Sequence, residues 1–121
     1  MDLNELSYAV NGAIFEVYKT LGSGFMEKVY EQALLIELTE ERGLKAQTQV
    51  PMSVHYKGRK VGDYFADLVV EDQIVLELKV VEELTKTHEA QLLNYLRATG
   101  HKLGLLVNFQ HPKAIVKRFV M

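Results

Sequence analysis

The sequence predicts an α/β (α+β) fold, in which a central mixed β-sheet is flanked by helices in the order α-α-β-β-β-α-β. The first 40 or so residues carry apolar side chains at helical spacing, and the middle of the chain reads as strands joined by hairpin turns. A helix-spaced segment then separates two apolar strands. Because a strand–helix–strand unit most simply forms a parallel pair with a right-handed crossover, we expect a mixed sheet.

The first two elements are predicted to be helices. Residues 3–21 have helical apolar spacing, with Asp2 or Asn4 as the N-cap. The glycines on either side of Ser23 end this helix. Ser23 is then predicted to cap a second helix that runs to about Arg42.

Three strands follow. Residues 45–56 form the first, and Pro51 places it at an edge of the sheet. Lys57-Gly58 turns the chain into a second strand over residues 59–70, and a third strand spans residues 74–80.

The C-terminal part combines a helix with another buried strand. A helix capped by Thr85 or Thr87 runs to about residue 99, and Leu103–Phe109 is apolar enough to be buried on both faces. Lys113–Met121 fits either a weak strand or a helical turn.

The composition bounds the class of protein. With 48% hydrophobic and 25% charged residues, the chain is expected to form one globular domain over residues 1–121. No apolar run approaches the roughly 18 residues of a membrane span, and no secretory signal or cysteine is present, which fits a cytoplasmic protein with no membrane partner. A net charge of −2 argues against a nucleic-acid-binding domain, because such domains usually carry a basic face.

The stretch 67–79 is the strongest candidate for chemistry. Two apolar runs flank Glu71-Asp72-Gln73, which predicts a β-hairpin with a three-residue loop. In that register Asp67 falls opposite Glu77, and Lys79 shares the same face because side chains alternate along a strand. A two-residue loop would instead place Asp67 on the other face.

Two acids and a lysine on one patch are typical of a divalent-cation phosphodiesterase. Mg²⁺ prefers oxygen ligands and is commonly held by one or two carboxylates, water and substrate phosphate. A neighbouring lysine can orient or deprotonate the attacking water, or neutralise developing charge. A surface hairpin with a cross-strand acid pair and a solvated lysine explains the same short pattern equally well.

Other candidate residues lie on the helices. Glu27 is in the first turn of the second helix, where the helix dipole alone favours a glutamate, and Tyr30 fits a core aromatic. Gln91 and Tyr95 are four residues apart and share a helix face, which also fits an ordinary polar surface. No zinc-site spacing is found among the four histidines, His55, His88, His101 and His111.

Several motifs together resemble those of the GxxExxY proteins. Gly24-Phe-Met-Glu27-Lys-Val-Tyr30 matches the motif that names this family. The resemblance covers nearly the whole chain. The GxxExxY family is placed in the PD-(D/E)XK nuclease superfamily, near its RecB-like branch, so the resemblance implies a restriction-endonuclease-like fold. The further matching motifs are Tyr56-Lys-Gly58, Ala66-Asp67-Leu68, Leu76-Glu77-Leu78-Lys79, His88-Glu89-Ala90-Gln91-Leu92-Leu93-Asn94-Tyr95 and Gly104-Leu105-Leu106-Val107-Asn108-Phe109.

The resemblance implies a metal centre. Asp67 and Glu77 are implied as metal ligands, and the backbone carbonyl of Leu78 as a further ligand. Lys79 is implied as the catalytic lysine. Glu27 takes the helical acidic position that often completes such a site.

The resemblance also implies residues that bind substrate. Gln91 and Tyr95 match the Q-x-x-x-Y motif of the RecB-like branch, and Tyr30 closes the GxxExxY motif. Ala66 stands where the superfamily label has a proline, which is a common departure.

The expected function is hydrolysis of phosphodiester bonds in DNA or RNA with Mg²⁺ or Mn²⁺ as cofactor. The alternative is a non-catalytic nucleic-acid-binding or assembly module that retains the fold. Small size and acidic charge favour the module, whereas the intact set of Asp67, Glu77 and Lys79 favours an enzyme. The sequence leaves open DNA against RNA, exonuclease against endonuclease action, and the oligomeric state, with a homodimer among the options.

Overall fold

A five-stranded mixed sheet carries helices on both faces in the computed structural model, which describes residues 1–110 and 113–121. The strands lie side by side in chain order; the third and fourth are parallel and the other neighbours antiparallel, so the predicted mixed sheet is confirmed. His111 lies outside the described residues. The elements are α1 (Leu3–Leu21), α2 (Glu27–Ile36), β1 (Ala46–Tyr56), β2 (Arg59–Val70), β3 (Ile74–Lys79), α3 (Lys86–Thr99), β4 (Leu103–Asn108) and β5 (Ile115–Val120).

The N-terminal helices match the prediction in part. Asp2 caps α1 by accepting a hydrogen bond from the Glu5 N–H at 2.8 Å. The predicted cap at Ser23 is wrong, because α2 begins only after Met26, which makes no side-chain capping bond. Beyond α2 the chain continues as a π-helical turn, Glu37–Glu41, so the predicted single helix to Arg42 is divided. None of the described helices has both the length and the apolar character needed to span a bilayer.

The two hairpins have the predicted registers. Lys57 and Gly58 both adopt left-handed backbone angles, as a two-residue hairpin turn requires. Between β2 and β3, Val70 pairs with Ile74, so the loop is the three residues Glu71–Gln73. Pro51 lies on β1, which forms one edge of the sheet, as expected for a residue without an N–H donor.

The crossover from β3 to β4 also follows the prediction. Thr85 caps α3: its hydroxyl accepts from the His88 N–H at 3.2 Å, and His88 Nδ1 accepts from the Thr85 N–H at 3.0 Å. All of β4 is buried. The ambiguous tail forms β5, an edge strand of six residues that runs antiparallel to β4, and not a helical turn. The predicted order of elements therefore gains one strand.

Two hydrophobic clusters fill the spaces on either side of the sheet. One lies under α1 and α2 and includes Leu76 and Leu78; the other lies under α3 and includes Val75. Because side chains alternate along β3, Glu77 belongs to the α3 side.

The backbone is irregular where β1 and β2 pass the site. Gln49 has a φ of 51°, in the left-handed region, and lies between the pairs Thr48↔Leu68 and Val50↔Ala66, opposite Asp67. Ala66 packs in the α3-side cluster but Leu68 packs under α1 and α2, although strict alternation would put both on one face. The alternation of side chains along β2 is therefore interrupted at Asp67, and this side chain faces α2.

Candidate active site

Asp67 and Glu77 come together where the β2–β3 ladder ends. The last ladder pair is Leu68↔Leu76, and Asp67 and Glu77 are the next residues in that register. Asp67 Oδ2 accepts a hydrogen bond from the Leu78 N–H at 2.7 Å, which fixes this carboxylate against β3. Glu77 is only 5% exposed, and its carboxyl is near enough to Asp67 for the charge of Asp67 to act on it. The two residues are therefore neighbours on β2 and β3, in the register that the three-residue loop predicts, although the Asp67 side chain is turned towards α2.

Glu77 is strongly perturbed by its surroundings. Burial and, next, the charge of Asp67 raise the pKa of Glu77 to about 9, while the nearby charge of Lys79 opposes the rise. Among the residues that the structure describes, Glu77 Oε1 is buried and has no hydrogen-bond partner. Buried carboxylate oxygens are normally paired, so an orphaned one beside a second carboxylate indicates a missing partner that is cationic or a donor.

A cleft of about 570 Å³ lies on the α2 side of these residues. We call it the acidic cleft, after Glu27, Glu31 and Asp67, which line it together with Gln49 and Leu78. Glu27 Oε2 accepts from the Val80 N–H, just beyond the end of β3, at 3.2 Å. Glu27 is exposed but lines the same cleft as Asp67, a position that helix-dipole stabilisation alone does not require.

Glu31 and Gln49 are site residues that the sequence reasoning missed. Glu31 is 3% exposed. Its carboxylate forms an ion pair with Lys28 Nζ at 2.7 Å and accepts a hydrogen bond from Gln49 Nε2 at 2.5 Å. Although burial raises its pKa, the hydrogen bonds from Lys28, Gln49 and Gln32 outweigh that effect and hold the pKa of Glu31 below its usual value. A signal for Glu31 was available, since it lies one helical turn after Glu27 on the same face.

A second cleft, of about 430 Å³, lies between β1, β2 and α3. We call it the tyrosine cleft, after Tyr64 and Tyr95, whose rings are 5.8 Å apart and which line it with Gln91. Burial and then the charge of Glu77 raise the pKa of both tyrosines. Tyr95 is therefore beside Glu77, as expected, whereas Gln91 lines the tyrosine cleft and not the acidic one. Tyr64 was not among the sequence candidates.

Tyr30 has a structural position, and this corrects its assignment to substrate binding. Its side chain is 0% exposed and stacks on Phe109 with ring centroids 4.2 Å apart. Its hydroxyl donates to the Gly22 carbonyl at 2.5 Å and accepts from the Phe25 N–H at 3.4 Å. Tyr30 thus anchors the loop before α2, which carries Glu27, and has no surface left to contact a substrate.

The donor set of this site fits a hard divalent cation. Within the described ranges 1–110 and 113–121, no group of three or more histidine or acidic side chains is arranged to hold a metal. Mg²⁺ does not need such a cage, because it usually keeps several waters and binds through one or two carboxylates. The carboxylate oxygens of Asp67 and Glu77, one of them orphaned, meet that requirement.

Comparisons with solved structures show the fold. The crystal structure of SSO0001 has a TM-score of 0.61 at 20% identity, covering 78% of this chain and 50% of that one. An alkaline exonuclease (LHK-Exo) from Laribacter hongkongensis has a TM-score of 0.53 at 13% identity, covering 91% of this chain and 68% of that one. This chain thus spans half the length of SSO0001.

A comparison with family models identifies the chain. No curated protein matches it. A family model described as PD-(D/E)XK nuclease superfamily matches residues 4–119, and together with the two neighbours it confirms the restriction-endonuclease-like fold. Membership of the narrower GxxExxY family stays a prediction. With the match extending over almost all of its length, this chain belongs to the PD-(D/E)XK nuclease superfamily.

Proposed function

We propose that this protein hydrolyses phosphodiester bonds in DNA or RNA with the help of Mg²⁺ or Mn²⁺. The observation that carries the proposal is that Asp67, which lines the acidic cleft, lies close to the buried Glu77 near Lys79, and that Glu77 Oε1 is unpaired among the described residues. Nucleases of this superfamily generally use divalent metal ions. The site therefore has the oxygen ligands that its family's chemistry needs.

Asp67 and Glu77 are the residues that would hold the cation. Glu27, which lines the same cleft as Asp67, and the backbone carbonyl of Leu78 are the further ligands we propose. When bound, the cation supplies stabilisation of the charge that develops on the phosphoryl group and makes water more acidic. The Leu78 N–H holds Asp67 in place for this role.

Lys79 is the catalytic residue in this proposal. It follows Glu77 by two positions on β3, so the two side chains leave the strand on the same side. Lys79 is half-buried, and its charge already acts on Glu77. An ammonium group there orients the attacking water and neutralises charge on the phosphate.

The tyrosine cleft supplies substrate contacts in this proposal. Gln91 is exposed and offers an amide, which can donate to and accept from a nucleotide. Tyr95, beside Glu77, places this contact next to the reacting centre. The exposed basic residues at the β1–β2 turn, Lys57 and Arg59, can contact phosphates, whereas Lys60 there is paired with Asp63 at 3.0 Å.

A cleavage assay tests the proposal. Purified protein is incubated with single- and double-stranded DNA and RNA, with Mg²⁺, Mn²⁺ or a chelator, beside the Lys79→Ala variant. We expect cleavage of at least one substrate that needs the cation and is lost in Lys79→Ala. Cleavage that persists in the variant would indicate a contaminating nuclease and count against the proposal.

The charge of the protein bears on the alternative, a non-catalytic nucleic-acid-binding or assembly module, and favours a module that works as a subunit of an assembly. The net charge of −2 and the acidic cleft both weaken the attraction for a polyanion in the absence of cations. Binding of nucleic acid without metal and without cleavage by the wild type would support this alternative.

A further inference from the structure

The amide of Gln49 lies between two carboxylates of the acidic cleft. Its Nε2 is 2.5 Å from Glu31 Oε1 and 3.3 Å from Asp67 Oδ1. Two acceptors of this kind require a donor between them, so the nitrogen of the amide, with its two hydrogens, must be the atom that faces both. Gln49 thus links a residue of α2 to a residue of β2.

The backbone at Gln49 is unusual for its residue type. A φ of 51° lies in the left-handed region, which glycine and asparagine adopt readily and glutamine does not. The residue stands in the middle of β1, directly opposite Asp67. Strained backbone of this kind persists where the surrounding structure fixes it, and it is found preferentially at functional sites.

Glu31 gives this link a fixed end. It is almost fully buried, and its Oε2 receives Lys28 Nζ at 2.7 Å and Gln32 Nε2 at 3.3 Å. Since Lys28 and Gln32 hold the other oxygen, Glu31 can hold the Gln49 amide in one orientation. The restraint then passes from the helix through Gln49 to Asp67.

Asp67 is consequently held by both of its oxygens. Oδ2 accepts from the Leu78 N–H at 2.7 Å and Oδ1 accepts from Gln49. A carboxylate has about four lone-pair sites, so roughly two stay open for a further partner. With both oxygens restrained, the direction of those open sites is set.

We propose that Gln49 is a positioning residue, which holds the Asp67 carboxylate in the orientation needed to bind the cation. This consequence for cation binding rests on the proposed function, whereas the restraint on Asp67 itself does not. Partners that orient metal ligands typically change metal affinity or activity 10- to 100-fold, roughly, when they are removed.

The rival explanation is that Gln49 only satisfies the buried Glu31. The variant Gln49→Gly makes the two explanations testable, because it removes the amide and leaves a residue that adopts φ 51° without strain. The explanations then differ in what they predict for Asp67. It is therefore expected to fold. Gln47→Ala is the matched control, an exposed glutamine two positions earlier on β1.

The first measurement needs no metal. Amide hydrogen exchange at Leu78, relative to Leu76 on the same strand, reports whether Asp67 still accepts from the Leu78 N–H. We expect about 2- to 10-fold faster relative exchange in Gln49→Gly, as for the loss of one hydrogen bond, and no change in Gln47→Ala. An unchanged ratio in Gln49→Gly would overturn the positioning role.

The second measurement is Mn²⁺ binding by titration calorimetry, joined to kcat and KM on a cleaved substrate. Gln49→Gly should weaken Mn²⁺ binding about 10- to 100-fold and lower kcat with KM nearly unchanged. If Leu78 exchanges faster in Gln49→Gly but the wild type cleaves no substrate, the positioning role of Gln49 is supported and the proposed nuclease activity is wrong. Cleavage and Mn²⁺ affinity within about twofold of wild type in Gln49→Gly would overturn the positioning role and leave the nuclease.

Discussion

The acidic cleft lies on the α2 side of the sheet and the tyrosine cleft lies on the α3 side, and the two clefts offer different chemistry. The acidic cleft is lined from α2 by Glu27 and Glu31, whereas the tyrosine cleft is lined from α3 by Gln91 and Tyr95. Glu77 lines neither cleft, but its pKa is raised by burial and by the charge of Asp67 from the first cleft, and its own charge adds to the effect of burial in raising the pKa of Tyr64 and Tyr95 in the second. The first cleft contains three carboxylates, and the second contains two phenol rings and two side-chain amides.

This difference suggests that the two faces of the sheet have different roles, with catalysis on the α2 side and substrate recognition on the α3 side. Carboxylates suit a cation and the charge that develops during hydrolysis, while amides and phenols suit the recognition of a neutral base or sugar. Changes on the acidic side should therefore alter kcat and metal affinity. Changes on the tyrosine side should alter KM.

The largest expected effect is at Lys79. Lys79→Ala removes the ammonium group beside the acid pair and should lower kcat about 10²- to 10⁴-fold, the usual range for a group that assists proton transfer. The circular dichroism spectrum should stay native, because Lys79 is half-exposed and supplies little core area. Lys102→Ala is the control, an exposed lysine next to the other end of the β3–β4 pair; an equal loss in both variants would show that the effect is not local.

Metal binding should distinguish the two clefts by thermal stability. At an Mn²⁺ concentration ~100-fold above Kd, the folded state gains about 2.7 kcal/mol, which corresponds to roughly 10 °C in Tm for a domain of this size. Asp67→Asn and Glu77→Gln should lose most of this gain, and Gln91→Ala should keep it. If Glu77→Gln and wild type respond alike to millimolar Mn²⁺ in a thermal melt, Glu77 is not a ligand in the free protein.

The raised pKa of Glu77 predicts a pH dependence of stability in the absence of metal. Its pKa of about 9 exceeds the unfolded value of 4.5, so the folded state binds this proton more tightly. Stability is therefore fully present below pH 4.5 and is lost as pH rises towards 9. Glu77 contributes a loss of about 2 kcal/mol between pH 5.5 and 7.

Urea unfolding at several pH values checks this prediction. Glu77→Gln should remove the loss and be the more stable protein at neutral pH, since the wild-type carboxylate must take up a proton when it is buried and the neutral amide need not. Glu41→Gln, at an exposed acid, is the control. Parallel pH profiles for wild type and Glu77→Gln would contradict the raised pKa of Glu77 in the folded protein.

The smallest effect is expected on the tyrosine side. Gln91→Ala should raise KM about tenfold, through loss of one or two hydrogen bonds to substrate, with kcat and Mn²⁺ affinity little changed. Steady-state kinetics on the substrate found by the cleavage assay measure this split. A fall in kcat with constant KM would mean that Gln91 acts in catalysis, as the acidic-cleft residues do, and would contradict the different roles of the two clefts.

Much of the fold was predictable because local signals and the register agreed. The three-residue loop Glu71–Gln73 determines which residues of β2 and β3 are opposed, so the proximity of Asp67 and Glu77 follows from the sequence, whereas the turn of the Asp67 side chain towards α2 does not. The tail was ambiguous because its partly buried residues, Val116 and Phe119, are three positions apart. That spacing matches no strand period, since the two side chains of this edge strand join clusters on opposite faces.

The rest of the site could not be predicted, for two physical reasons. Tyr30 was assigned to substrate because a motif does not show whether a hydroxyl is used internally, and here it holds Gly22. Gln49 was missed because a left-handed glutamine within a strand has no sequence signature, and its partners lie 18 residues away on either side.

Locating Mn²⁺ by anomalous scattering in crystals of the protein tests the central claim most directly. The proximity of Asp67 and Glu77 predicts an anomalous peak within coordination distance of one oxygen from each carboxylate, with Glu77 Oε1 no longer orphaned. Crystals of Glu77→Gln should show a weaker peak or none under the same conditions. A peak held by Glu27 and Glu31 without Glu77, or no peak at millimolar Mn²⁺ in the wild type, would contradict the account.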